Sequence, residues 1–343
     1  MSEPTKTDDS TATASKRDPG RPSPSRGASR PGWLERAGEV RNLGLILVLL
    51  ALCVVGTATS GQFLHWSNIV IILTLASVIG VISVGSTFVI IGGGIDLSVG
   101  SSLGLASVWC TTVATQSYGP WAMVFCAIVV ALGVGLVNGV LIAYGRLVPF
   151  IVTLAMLAGA NGLAEVISDR KSQLLTQQGL ADFMFTRIFD LPVIFYIFAL
   201  VAVLGWLLLN RTTFGARTVA VGGNVEAARL AGIDVKRHTL LLYVLSGFSV
   251  GIAAVMIVAQ TNTGASTLGN LYELDAIAAI IIGGTLLSGG RGTIVGTVLG
   301  VLVFTVINDL FILNGLDTSI QKVAKFAIIV AAVLIQRRSQ RST

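Results

Sequence analysis

The sequence predicts an all-α, polytopic membrane protein with about ten transmembrane helices in two related halves. Three observations carry that class. Of the 343 residues, 53% are hydrophobic and only 12% charged, with a mean hydropathy of +0.83, whereas a water-soluble domain needs about 25% charge. The charge is also concentrated, because 14 of the 40 Lys, Arg, Asp and Glu side chains lie within residues 1–41 and only 26 serve the other 302 residues. Beyond that arm the chain divides at polar or Gly/Pro breaks into apolar runs close to the ~20 residues with which a helix crosses a bilayer. This balance excludes a soluble enzyme. The 39 glycines show no Gly-X-Y period, which excludes collagen, and the apolar runs exclude disorder beyond the tail.

Taken in order, residues 1–41 are rich in Ser, Thr, Pro, Arg and Asp without apolar periodicity, which predicts a disordered arm. The run 43–58 follows a polar stretch much longer than the n-region of a signal peptide, so it reads as the first anchor. Nine further spans follow at 69–91, 99–114, 121–144, 150–167, 193–209, 238–259, 274–287, 293–313 and 323–335. The spans at 99–114 and 274–287 are short and glycine-interrupted, as expected where a helix breaks inside protein rather than against lipid. Together they predict a transmembrane domain over 42–337 and a cytoplasmic tail over 338–343.

Basic residues should collect in the cytoplasmic loops. With the N-terminus inside, the arm holds eight, the 145–149 loop Arg146, the 210–237 loop Arg211, Arg217, Arg229, Lys236 and Arg237, the 288–292 turn Arg291, and the C-terminus Arg337, Arg338 and Arg341. That is 18 inside against five outside, namely Arg170, Lys171, Arg187, Lys322 and Lys325. Both termini are therefore expected in the cytoplasm.

Small residues at four-residue spacing let helix backbones approach, and Gly100/Gly104, Gly135/Gly139, Gly247/Gly251 and Gly292/Gly296/Gly300 have that spacing. Their bland reading is packing. The net charge of +6 has no basic cluster in the body that would suggest nucleic acid. Cys53, Cys110 and Cys126 lie far apart in apolar stretches, which gives neither a disulfide framework nor a zinc spacing and leaves small hydrophobes. No cofactor or metal is expected. His65 and His238 lack H-E-x-x-H or G-x-S-x-G company, so a membrane enzyme is disfavoured and both read as interfacial.

Two stretches share the pattern G-G-x-x-L-S-x-G at an offset of 190: residues 93–100, with Gly93, Gly94, Asp96 and Ser98, and residues 283–290, with Gly283, Gly284 and Ser288. A second echo, N-x-x-x-I-x-x-G, relates Asn138 to Asn308 at an offset of 170. Chance is an alternative for residues this common, and the offsets alone leave parallel and inverted repeats open. Gly-interrupted segments at matching positions of two halves point to a substrate path. Asp96 adds a carboxylate, costly in a membrane unless it meets water, backbone N–H groups or a cation; equally, Asp96 or Ser98 can cap the helix starting near Val99. Glu165, Glu273, Asp275 and Asp309 lie near span ends and read as interfacial.

The longest inside loop, 210–237, contains a short helix signature: Asn224 as N-cap, Glu226 in the first turn, Ala227 and Ala228, then Arg229, Gly232 as the stop and Ile233. About two turns are too few to stand alone, so this helix packs on its own domain or in a partner's groove, where it can act as a mechanical handle.

The Gly92–Gly100 stretch, the Asn224–Ile233 loop and the run 273–279 leading into 283–293 resemble, in that order and at similar separations, the permease subunits of ribose, xylose and galactose ABC importers over roughly residues 40–337. The N-terminal arm is outside the shared pattern. The resemblance implies a plasma-membrane permease that pairs with a second copy or close paralogue, receives a monosaccharide from an extracytoplasmic binding protein, and is driven by a separate cytoplasmic ATPase. It implies that Asn224, Glu226, Ala227, Ala228, Arg229, Gly232 and Ile233 couple to that ATPase. Independently, the chain has no Gly-Lys dipeptide and thus no P-loop. A neutral sugar needs Ser, Thr, Asn and backbone groups along its path, for which Gly93, Gly94, Asp96, Ser98, Asn138, Gly283, Gly284, Ser288 and Asn308 are the candidates. The wider family also serves nucleosides and branched-chain amino acids. An ion-coupled secondary transporter using Asp96 is the alternative of another class, weakened by the scarcity of intramembrane carboxylates.

Overall fold

The computed structural model describes the backbone of residues 32–341, and the side chains of these except 32–41, 332 and 335–341. The chain divides into two units, residues 1–39 and 40–343, and the helical bundle belongs to the second. Fourteen helices are present among the described residues. They are α1 (Gly32–Thr59), α2 (Trp66–Ile91), α3 (Val99–Cys110), α4 (Val113–Gln116), α5 (Pro120–Ala143), α6 (Pro149–Ser168), α7 (Gln178–Phe185), α8 (Val193–Arg211), α9 (Thr213–Gly223), α10 (Val225–Leu230), α11 (Val235–Thr261), α12 (Tyr272–Ile282), α13 (Ile294–Leu313) and α14 (Thr318–Arg341). Two-residue strands β1 (Gln173–Leu174) and β4 (Thr263–Gly264) pair antiparallel, as do β2 (Arg187–Ile188) and β3 (Leu191–Pro192).

Each of the ten expected spans falls on a helix, and seven are long and apolar enough to cross a membrane. The protein is thus an all-α, multi-pass membrane protein. The two weak spans are α3, with 12 residues, and α12, with 11; at 1.5 Å per residue each is about 16–18 Å long, well short of a ~30 Å hydrocarbon core. Of the expected arm, residues 1–31 lie outside the described residues, and α1 already begins at Gly32. Leu34, Glu35, Arg36, Ala37 and Glu39 are good helix formers, so a helix growing from the apolar run extends back through them. The tail expected from 338 continues α14 to Arg341, and residues 342–343 lie outside the described residues.

Helices α2 and α11 form the centre, with 72% of their apolar windows buried, while α6 and α8 have 22% buried and turn most of their surface outward. Outward positions such as Val54, Phe125 and Val166 stay apolar because their solvent is lipid. Small polar residues survive inside α2 because their hydroxyls bond back one turn, Ser77 to the Leu73 carbonyl and Thr87 to that of Ser83, both at 2.6 Å. The glycine pairs do pack helices. A β-carbon on Gly247 of α11 would stand 3.3 Å from the Gly135 Cα of α5, and one on Gly251 would stand 2.7 Å from the Ile128 Cα.

Three irregular segments interrupt the helical pattern. Residues 92–98 join α2 to α3, and 283–293 join α12 to α13. Residues 265–270 run alongside α3, where a β-carbon on Gly104 would stand 2.9 Å from the Ser266 carbonyl oxygen. This last segment carries the start of α12 inside the bundle, with Glu273 and Asp275 buried in its first turn.

Candidate functional site

The loop after α8 folds as the sequence suggests. Asn224 caps α10 by accepting from the Ala227 N–H at 3.0 Å. Gly232 closes the helix at φ +83°, its N–H on the Arg229 carbonyl at 3.0 Å, and the Ile233 N–H reaches back to Ala228 at 3.1 Å. Ala228 faces inward and is buried; Glu226, Ala227, Arg229 and Leu230 face outward. Glu226 and Arg229 pair at 2.9 Å, but both are exposed, so the pair shapes a surface more than it stabilises one. Leu230, 82% exposed, gives that surface an apolar tip that the sequence reading did not single out. The preceding α9 is pinned to the bundle. Thr218 Oγ1 lies 2.9 Å from His238 Nε2, and the Phe214 ring lies between those of His238, at 4.7 Å, and Phe88, at 6.2 Å. His238 is therefore buried rather than interfacial, because α9 folds over it.

The duplicated glycine motif is real in three dimensions, with its register shifted by one residue. Gly92, Gly93 and Gly94 donate to the carbonyls of Phe88, Ile90 and Val89, each at 2.9 Å. Gly283, Gly284 and Thr285 repeat this onto Ala279, Ile281 and Ile280 at 2.9, 2.8 and 3.2 Å. The left-handed residue that ends each helix is Gly93, at φ +86°, and Gly284, at φ +82°. Gly93 thus corresponds to Gly284, not to Gly283, because the sequence match favoured the Leu-Ser pair over the helix stop. The breaks adjoin, the Gly290 N–H donating to the Ile91 carbonyl at 2.8 Å. Each is helix, glycine stop, helix. The second echo falls on helix ends: Asn138 and Asn308 each stand five residues before the end of α5 and α13, where the Tyr144 and Asn314 N–H groups donate to the Val140 and Leu310 carbonyls at 2.9 and 3.1 Å, but Asn308 lies 14 residues along α13 from Ile294, about 21 Å from the second break.

Past Gly94 the chain enters a buried knot of side chains. Asp96 Oδ1 accepts from the Ser98 N–H at 3.0 Å and from its hydroxyl at 2.7 Å, and Oδ2 accepts from the Ser246 hydroxyl of α11 at 3.1 Å. Asn138 of α5 donates to Ser98 Oγ at 2.8 Å. Thr153 of α6 and Tyr243 of α11 both donate to the Ile95 carbonyl at 3.3 Å. No cation pairs with Asp96 among the described residues. The carboxylate closes a turn onto Ser98 just before α3 and ties it to α11; among the described residues no side chain caps the first turn of α3, so the capping alternative is not what holds Asp96 here. Ser246 and Tyr243 gave no signal in the sequence, being lone polar groups in an apolar helix.

Three carboxylates expected at span ends lie inside instead. Asp275 accepts from Lys325 Nζ of α14 at 3.0 and 3.2 Å, with Lys325 also 5.3 Å from the Phe304 ring centre. Asp309 accepts from Asn68 Nδ2 at 2.9 Å. Glu273 is buried beside Gly100, because the turns over 265–271, packed against α3, draw the start of α12 inward. Glu165 does stay at an exposed end, paired with Arg170 at 3.2 Å. Beside the first break lies a cavity of about 290 Å³, bounded by Gly92–Gly94, Arg146, Lys236 and Tyr243. Ser288 is exposed on the second break, Gly283 is buried, and Asn308 is half-buried with its Oδ1 unpaired.

Residues 68–333 match the family model described as branched-chain amino acid transport system / permease component. The chain is 37% identical over 303 residues to the ribose import permease protein RbsC of Bacillus subtilis, covering 88% of this chain and 94% of the relative. It is 34% identical over 312 residues to RbsC of Escherichia coli K12, covering 90% and 97%. With the galactose/methyl galactoside import permease protein MglC of the same strain it shares 37% identity over 316 residues, covering 85% and 91%. No solved structure matches.

Proposed function

Since the chain belongs to the family of permease components of the branched-chain amino acid transport system type, we propose that it is the membrane-spanning subunit of an ATP-binding-cassette importer for a monosaccharide of the ribose and galactose class. The full-length relatives named for those sugars support the substrate class over the amino acids of the family description. The permease sits in the plasma membrane over residues 42–337 with both termini cytoplasmic, as the 18 to five distribution of basic residues supports. It hydrolyses nothing itself. A separate cytoplasmic ATPase supplies the energy, an extracytoplasmic binding protein delivers the sugar, and a second permease copy or close paralogue completes the path.

The observation that carries this reading is α10, a helix capped at both ends, held by Ala228 and presenting Glu226, Arg229 and Leu230 outward on an anchored α9. In the ATPase groove, the segment from Asn224 to Ile233 moves as the nucleotide sites close, and the path switches from outward-open to inward-open. Gly93, Gly94, Gly283, Gly284 and Ser288 border the inner part of that path, where backbone groups suit a neutral polyol. Asp96, Ser98 and Asn138 act from behind by fixing the shape of the first break. Asn308 serves a more distant level, its unpaired Oδ1 suited to a sugar hydroxyl.

The test is uptake in proteoliposomes carrying permease, ATPase and binding protein. Glu226→Ala and Arg229→Ala should insert normally while lowering ATP-driven uptake of ribose or galactose by about tenfold, the loss of one or two contacts in a docking groove. Unchanged uptake in both variants, or uptake that survives without ATP and collapses with an uncoupler, would overturn the assignment.

A further inference from the structure

We infer that α9 is welded, backbone to backbone, to both glycine breaks at Gly222, so that displacement of α10 reaches the two breaks together. The inference rests on α10 being the ATPase handle and identifies Gly222 as a positioning residue, which touches no substrate. Gly222 lies near the end of α9, three residues before α10 begins at Val225. A β-carbon there would stand 2.7 Å from the Gly290 nitrogen and press still closer on the Ile91 carbonyl oxygen. That nitrogen and that oxygen are themselves hydrogen-bonded across the two breaks at 2.8 Å. From the other side, a β-carbon on Gly289 would stand 2.8 Å from the Gly222 oxygen and 2.9 Å from the Gly93 Cα, and one on Gly290 would stand 2.8 Å from the Gly223 Cα.

Three stretches remote in sequence, 91–93, 222–223 and 289–290, therefore touch through main chain alone. Side-chain contacts can absorb a displacement by changing rotamer; main-chain contacts at van der Waals distance cannot, and pass it on. The far end of α9 is held by Thr218 on His238 and by Phe214, so tilting α10 turns α9 about that anchor and drives the weld. Both breaks then move as one body, as a path bordered by both requires.

Gly223 supplies the control, because a β-carbon there meets nothing within 4 Å. In the reconstituted importer, Gly223→Ala should keep sugar uptake within about twofold of wild type, whereas Gly222→Ala should retain the ATPase and its hydrolysis within about twofold yet lower sugar moved per ATP by about tenfold, a small misplacement at a distance. Equal losses in the two variants, or no loss in Gly222→Ala, overturn the weld. A second measurement needs no change at Gly222. With Cys53, Cys110 and Cys126 replaced, spin labels at Ala220→Cys and Ser288→Cys should keep their separation when ATP binds, while Ala220→Cys and Val166→Cys change theirs. If the first pair moves apart or the second stays fixed, the weld is wrong. Failure of the handle reading is separable, since it shows as unaltered ATPase retention and uptake in Glu226→Ala and Arg229→Ala.

Discussion

The two glycine breaks stop their helices with the same hydrogen bonds and then part company. After Gly93 the chain turns into the bundle, and Asp96, Ser98, Asn138 and Ser246 bind it there through four hydrogen bonds. After Gly284 it makes a surface turn, closed by Leu286 N–H on Arg291 and Gly289 N–H on Leu286, with Ser288 exposed. The stop is local chemistry and needs only a left-handed glycine after apolar turns. The continuation depends on what the neighbours offer. Helices α5 and α11 present polar side chains to the first break, whereas α9 presents glycine backbone to both. The first break is therefore tied by buried side chains of α5 and α11 in addition to its main-chain contact.

The anchored break should be the fragile one. Asp96→Ala strips acceptors from the Ser98 N–H, the Ser98 hydroxyl and the Ser246 hydroxyl, all buried. With each orphaned donor costing about 1–3 kcal/mol, and membrane side-chain bonds at the low end, the total comes to about 3 kcal/mol. Thermal unfolding in detergent should show a marked drop, with Asp96→Asn intermediate because its amide oxygen still accepts. An Asp96→Ala protein as stable as wild type would erase the contrast between the breaks.

The stops themselves should be equal. Alanine at Gly93 or at Gly284 forces a side chain into the left-handed region, at about 1–2 kcal/mol each. Matching losses in the same unfolding measurement would confirm that the breaks share one helix-ending device. A gap larger than the stop's own cost would mean that the surroundings, not the stop, fix the backbone there.

Legibility in the sequence divides along the same line between local and long-range causes. The spans were legible because burial in lipid or in a bundle leaves a one-dimensional apolar trace, and the two broken spans because glycine leaves one too. The short α10 was legible from Asn224, Glu226 and Gly232, all acting within a few residues of themselves. The register of the repeat was misread by one residue because Leu-Ser recurs at the wrong distance from the stop. The burial of Glu273, Asp275 and Asp309 was hidden, since it depends on a run of turns lying along α3 and on partners, Lys325 and Asn68, from other helices. Ser246 and Gly222 matter only through what stands opposite them.

The one-residue shift can itself be tested by the smallest expected effect. The sequence pattern equates Ser98 with Ser288; the hydrogen-bond register equates Ser98 with Gly289 instead. Ser98 is buried, donates to Asp96 and accepts from Asn138, so Ser98→Ala should cost about 1–3 kcal/mol through the unpaired amide and the weakened carboxylate. Ser288 is exposed and its hydroxyl makes no hydrogen bond among the described residues, so Ser288→Ala should change stability by less than about 0.5 kcal/mol. Parallel unfolding of the two variants gives the comparison directly. Equal losses would make the serines counterparts after all and return the repeat to its 190-residue offset; a loss confined to Ser98 leaves the breaks related by their glycine stops alone.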